Sequence, residues 1–152
     1  MIKEKTAMKY SNEIEINLPL NKVIELFENP DNMKHWQPGL QSFEHISGTP
    51  GQVGAKSRLK YKMGKREIEM IETITKQNLP DEFAATYEAK GVYNLLFNKF
   101  IPVSENKTKW VSETEFKFSG FMKLIGFFMP GIFKKQSQKY LDDFKTFAEK
   151  QG

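Results

Sequence analysis

Two alternating segments meet at a two-residue turn in the first half of the chain, and few folds can accommodate them. The segment AKSRLKYKM (55–63) sets Ser57, Leu59, Tyr61 and Met63 against Lys56, Arg58, Lys60 and Lys62. The segment REIEMIETI (66–74) sets Ile68, Met70, Glu72 and Ile74 against Glu67, Glu69, Ile71 and Thr73. A period of two residues marks a strand with one buried and one solvated face. Gly64-Lys65, with glycine first, suits a type II′ hairpin turn. That register predicts Lys62 opposite Glu67 and Lys60 opposite Glu69 on the outer face. On the inner face it predicts Tyr61 opposite Ile68, Leu59 opposite Met70 and Ser57 opposite Glu72.

The register bears on function twice. Lys56, Arg58, Lys60 and Lys62 resemble a phosphate-binding ridge when read alone, but their cross-strand neighbours carry acids and offset much of the charge. A net charge of +4 is also too small to argue for nucleic acid. Glu72 is placed inward beside Leu59, Met70 and Ile74. A carboxylate there implies a wet or polar-lined interior and a raised pKa, unless a bulge returns it to solvent.

The remaining segments extend the same sheet. Residues 8–18 alternate, with Met8, Tyr10, Ile14, Ile16 and Leu18 inward and Asn12 as the polar exception. After Pro19, LNKVIELFEN (20–29) has helical spacing, with Asn21 available as a cap. PDNMKHW starts a second short helix that QPG stops. LQSFEHIS (40–47), FAATYEA (83–89), VYNLLFNKFIP (92–102) and TKWVSETEFKF (108–118) read as further strands. The last points Trp110, Ser112, Thr114, Phe116 and Phe118 inward. In 92–102 both faces are apolar, and the inward set is either Tyr93, Leu95 and Phe97 or Asn94, Leu96, Asn98 and Phe100.

A helix over roughly 120–149 closes the chain, and Pro130 is expected to kink it. Its second half carries one apolar stripe through Phe133, Tyr140, Leu141, Phe144, Phe147 and Ala148. Its first half is apolar nearly all round: between Phe121 and Phe133 the one charged residue is Lys123. That stretch would rise roughly 20 Å as a helix, against about 30 Å for a bilayer core, so it does not read as a membrane span. Transient contact with a membrane surface stays open.

Composition narrows the chemistry. With 152 residues, the chain suits one domain, read here as 8–149 after an extension at 1–7. It has no cysteine, which removes disulfides, thiol catalysis and cysteine metal sites together. GTPGQVGAKS lacks the glycine spacing of a phosphate loop. No histidine pair or carboxylate cluster suggests a metal, and no cofactor is expected. The start has no apolar signal core, so a cytoplasmic location is expected. Thirteen Phe and seven Met suit either an aromatic-rich core or an interior that adapts to a guest.

This order and its punctuation resemble the START-like, or Bet v 1-like, superfamily of polyketide cyclases, dehydrases and lipid transporters. IEINLPLNKVIELFENPDNMKHWQPGL resembles the family opening. GTPGQVGAKSR resembles the loop into the third strand, LPDEF the turn before the fifth, and 119–149 the terminal helix. The resemblance implies an α+β helix-grip fold. In it, a curved seven-stranded antiparallel sheet wraps a long C-terminal helix, with two short helices between strands 1 and 2. A cavity usually lies between sheet and helix, and Phe121–Phe133 would border its mouth.

Binding of a hydrophobic small molecule or lipid is the first expectation. A cyclase- or dehydratase-like enzyme is the second, and a protein-interaction module such as a chaperone cofactor the third. Glu72 is the leading acid/base candidate, with Ser57, Tyr61, Tyr87, Ser112 and Thr114 as supporters. His35, beside Trp36, is the other, read against a plain surface histidine. Trp36 is either a pocket-mouth contact or a packing wedge. Leu59, Tyr61, Met70, Tyr87, Trp110, Phe128 and Met129 are the wall candidates; Ser57, Tyr61, Tyr87, Ser112 and Thr114 could equally orient one polar end of a ligand, and Glu72 and Ser112 count among the ligand-binding candidates.

Overall fold

The computed structural model describes residues 7–120, 122 and 130–152. Within it the central hairpin forms with the register its alternation dictates. Strand β3 (Lys56–Met63) pairs antiparallel with β4 (Arg66–Asn78). Lys62 lies opposite Glu67, Lys60 opposite Glu69, Tyr61 opposite Ile68, Leu59 opposite Met70 and Ser57 opposite Glu72. Gly64 has φ of +64° and, among the described residues, no non-glycine residue has positive φ, so the turn fits type II′ and not type I′.

Five more strands extend the pair: β1 (Ala7–Ile16), β2 (Leu40–Ser47), β5 (Glu82–Ala89), β6 (Val92–Ser104) and β7 (Lys107–Phe118). They form one seven-stranded sheet in the order β1-β7-β6-β5-β4-β3-β2. Every pair is antiparallel, and the first strand closes beside the last. Helix α1 (Leu20–Glu28), a 3-10 turn (Pro30–Asn32) and the short α2 (Met33–Trp36) carry the chain from one sheet edge to the other. Helix α3 is described over Pro130–Glu149. This is the expected helix-grip architecture. The apolar half of the expected terminal helix, and with it the mouth of the expected cavity, lies outside the described residues.

Pairing between β5 and β6 decides the face that patterning left open. Tyr87 lies opposite Asn94, Ala85 opposite Leu96 and Phe83 opposite Asn98. Asn94, Leu96, Asn98 and Phe100 therefore line the concave face, while Tyr93, Leu95 and Phe97 lie on the convex one. One smaller expectation is corrected: Asn21 does not cap α1. The helix begins one residue earlier, at Leu20 behind Pro19, whose carbonyl accepts from the Lys22 and Val23 amides. Asn21 Oδ1 instead accepts from the Lys22 amide at 2.9 Å.

Helix α3 lies along the concave side at β1 and is tied there by polar contacts. Tyr10 Oη donates to the Phe133 carbonyl at 3.1 Å and shares a hydrogen bond with Ser137 Oγ at 2.8 Å. Asn12 Nδ2 donates to Gln138 Oε1 at 3.0 Å. Lys145 Nζ donates to the Glu15 carbonyl at 2.6 Å, and Glu149 accepts from the Asn17 amide at 2.7 Å. An edge strand with bare backbone groups invites pairing with another chain. Here side chains of α3 occupy part of that edge.

The densest packing lies at the α1–α2 end. Phe27 centres an aromatic cluster, with ring centroids 4.9 Å from Phe100, 5.4 Å from Trp110, 6.1 Å from Trp36 and 6.3 Å from Phe144. Ile16, Val23, Leu26, Leu141 and Ala148 complete the core. Each large apolar side chain buried here contributes about 1.5–3 kcal/mol. Among the described residues no helix is long and apolar enough to cross a membrane.

Candidate functional site

Glu72 stays inside because β4 keeps its alternation past it. The strand does carry an irregularity, but this falls between Ile74 and Lys76, two pairs beyond. A bulge earlier in the strand would have turned the carboxyl to water. As it stands, Glu72 is 8% exposed, on a concave row that runs Ser57, Glu72, Tyr87, Asn94 across β3 to β6. Tyr87 Oη donates to Glu72 Oε2 at 2.8 Å. Oε1 has no protein partner among the described residues.

The electrostatics follow from this placement. Burial holds the Glu72 carboxyl above its ordinary range, and the Tyr87 hydrogen bond offsets part of the rise. Tyr87 is pushed well above the usual phenol value, by burial first and then by the Glu72 charge. The pair is therefore a carboxyl biased toward its neutral form beside a phenol that keeps its proton.

The other expected supporters divide. Ser57 is buried as the cross-strand neighbour of Glu72. Tyr61 is also buried, but its hydroxyl donates to Gln37 Oε1 at 2.5 Å and so ties β3 to the residue after α2. Burial raises its pKa above the ordinary phenol value. Ser112 and Thr114 are buried on β7, three strands from β4. That is about 14 Å along the sheet, beyond hydrogen-bond reach of Glu72. Ser112 sits between Asn12 and Asn98 in the pairing, and Thr114 between Tyr10 and Leu96.

Among the wall candidates, Leu59 is fully buried and Met70 half-buried, on the same cross-strand pair of the concave face. Trp110 belongs to the aromatic core, with its Nε1 donating to Asn98 Oδ1 at 2.9 Å. Trp36 is a wedge in that core, 7% exposed and edge-on to both Trp110 and Phe144. Phe128 and Met129 lie outside the described residues.

His35 is exposed and stacks flat on Phe147, ring centroids 4.9 Å apart. It borders an open groove with Asp143, Thr146 and Lys150, on the outer side of the α2–α3 contact. A second open groove runs between Leu20 and Ile24 of α1 and Leu79-Pro80. Neither groove includes Glu72 or Tyr87. His45 is exposed at the β2 edge, with Nε2 2.8 Å from the Gly48 carbonyl. Among the described residues no group of three or more His, Cys, Asp or Glu is placed to hold a metal.

On the outer basic ridge the expected acids stand opposite Lys60 and Lys62, but among the described residues Arg58 is the ridge residue that forms ion pairs. Arg58 pairs with Glu44 at 2.8 Å and Glu69 at 3.4 Å, and Lys56 donates to Thr73 at 2.8 Å. Sequence reasoning held Asn94 and Asn98 in one of two possible inward sets and did not count them among the site residues. The signal was the short Lys90-Gly91 link: a two-residue turn there pairs Ala89 with Val92 and so brings Asn94 opposite Tyr87.

Residues 7–149 match the family described as polyketide cyclase / dehydrase and lipid transport. The chain belongs to that family. None of the curated proteins matches the sequence at a significant level. Solved structures show the same fold at low identity. An aromatase/cyclase from a Streptomyces species superposes with a TM-score of 0.79 at 11% identity, over 94% of each chain. Norcoclaurine synthase from Thalictrum flavum, in complex with dopamine and hydroxybenzaldehyde, gives 0.71 at 17% identity, over 96% of this chain and 88% of that one. A conserved protein from Geobacillus kaustophilus gives 0.79 at 17% identity, over 94% and 96%. At such identities the likeness speaks for the fold and for no residue's role.

Proposed function

We propose that the chain binds a hydrophobic small molecule between the concave face of the sheet and α3. Glu72 and Tyr87 form its polar anchor, and Leu59 and Met70 part of its apolar wall. One observation carries this reading: a carboxyl on a residue 8% exposed, beside apolar side chains, is held by Tyr87 through one oxygen, while the other has no partner among the described residues and is not fully enclosed. Burying most of a carboxyl is costly unless water or a ligand completes its hydrogen bonds. Family membership supports the same reading, since lipid transport is in the family's description.

Organic extraction of the purified protein followed by mass spectrometry tests it. Recovery of a hydrophobic compound at near-stoichiometric yield is the expected result. Empty extractions, together with no thermal shift against lipids, sterols and polyphenols, would remove the reading.

A second reading has one observation in its favour. A carboxyl biased toward its neutral form and bonded to a phenol is also what an acid–base step requires. The aromatase/cyclase and norcoclaurine synthase named above are enzymes on the same fold. If the chain catalyses a cyclisation or dehydration, Glu72→Gln abolishes turnover and spares binding. Retained turnover in that variant excludes Glu72 from the role.

A further inference from the structure

Antiparallel hairpins put alternate turns at opposite ends of a sheet, and here the two ends differ in charge. The β4–β5 turn carries Asp81 and lies beside α1 with its Glu25 and Glu28, and the β6–β7 turn carries Glu105. At the other end the β3–β4 hairpin tip carries Lys65 and Arg66, and the β5–β6 turn carries Lys90. Lys117 stands one residue from the end of β7, and the Ser119 amide just beyond it donates to the Gly91 carbonyl at 3.0 Å. Lys134 and Lys135 lie in the first two turns of α3, where Phe133 packs on Phe116 and Phe118 of β7.

All six cations are exposed, and none forms an ion pair with a described residue. Of the acids within two positions of them in the chain, Glu67 stands opposite Lys62 and Glu115 opposite Lys9, which leaves Glu88. Scattered lysines only keep a protein soluble, but cations gathered at one end create a local field. The tips from β7 to β3 cover four strand spacings, or about 19 Å, and α3 adds a second row under them. A peptide or a duplex backbone follows one line, whereas a flat anionic surface meets both rows at once. Ile132, two positions before Lys134, is 53% exposed. An isoleucine among lysines suits a bilayer interface, where hydrocarbon takes the one and headgroups the others.

We propose that this end of the molecule docks on an anionic lipid bilayer through Lys65, Arg66, Lys90, Lys117, Lys134 and Lys135, with Ile132 entering the interfacial layer. Docking of this kind is independent of what the interior holds.

Flotation of the full chain with phosphatidylcholine vesicles, made with and without phosphatidylserine, tests the proposal. The protein is expected to float with the phosphatidylserine vesicles alone, and to be released at about 1 M salt, where screening shortens to about 3 Å. Lys134→Glu combined with Lys135→Glu should weaken binding by about tenfold or more. Lys34→Glu combined with Lys150→Glu makes the same change in net charge at α2 and just past the end of α3, and should stay within about threefold of the unaltered protein. Ile132→Ser should weaken binding by about threefold or more. All these side chains but Ile132 are exposed lysines, and thermal melts check that each variant folds. Equal losses in the two lysine pairs would overturn the assignment to this end. Unchanged binding by Ile132→Ser would overturn the apolar contact. No binding to phosphatidylserine vesicles, or tighter binding to a duplex DNA oligonucleotide than to the vesicles, would overturn the bilayer as the partner.

Discussion

Two regions of the concave face belong to one sheet but are built from different strands and do different things. At the α1–α2 end, Phe27, Trp36, Phe100, Trp110 and Phe144 pack ring against ring, and Phe144 is fully buried. Among the described buried side-chain polar atoms there, Trp36 Nε1 is the one without a hydrogen-bond partner. Toward β3–β5 the concave face carries Ser57, Glu72 and Tyr87 instead, with a carboxyl oxygen left open. One end spends its residues on cohesion. The other places a polar group where cohesion alone would have put a hydrocarbon. On the binding reading proposed above, side chains of the first region serve stability and those of the second recognition.

Mutations can break this division, and the largest effect belongs to the packed end. Phe144→Ala should lower stability by about 3–5 kcal/mol, read from urea unfolding, because it opens a cavity among rings that cannot collapse around it. A loss below about 1 kcal/mol would mean that this core is looser than its ring contacts imply. Tyr10→Phe comes next. It removes the hydroxyl that reaches Phe133 and Ser137, and about 0.5–1.5 kcal/mol of unfolding free energy with it.

At the polar end the sign reverses. Burial raises the pKa of the Glu72 carboxyl in the folded protein above the ordinary carboxylate range, so folding favours its protonated form. Its contribution to stability is fully present below the unfolded pKa and is lost as pH rises through the folded one. Glu72→Gln keeps an acceptor for Tyr87 and cannot ionise. The variant should gain on the unaltered protein as pH rises from acid toward neutral, in paired thermal melts. A gap that stays constant with pH would place the carboxyl in water. The smallest effect is expected outside both regions: His35→Ala removes an exposed ring from Phe147 and should change stability by about 0.5 kcal/mol or less.

The sheet was legible because period-two alternation is a local property, and a tight turn converts it into a register. Gly64-Lys65 settled which side chains of β3 and β4 face each other, and so where Glu72 points. The terminal helix was legible beyond Pro130 for the same kind of reason, since its apolar stripe repeats every turn. In β6 both faces are apolar, so alternation carried no sign, and pairing with β5 turned Asn94 and Asn98 inward.

What the sequence determined by itself was the list of elements, their antiparallel order and the inward set of most strands, because these depend on neighbours a few residues apart. Tertiary structure decided partnership. It gave the Tyr61 hydroxyl to Gln37 and not to Glu72, sent Ser112 and Thr114 to a distant strand, and packed Trp36 into the aromatic core. It left Tyr87 as the phenol that reaches Glu72. Such choices rest on which strands lie side by side and how the sheet bends over its helix, and no local pattern encodes a distance across the sheet.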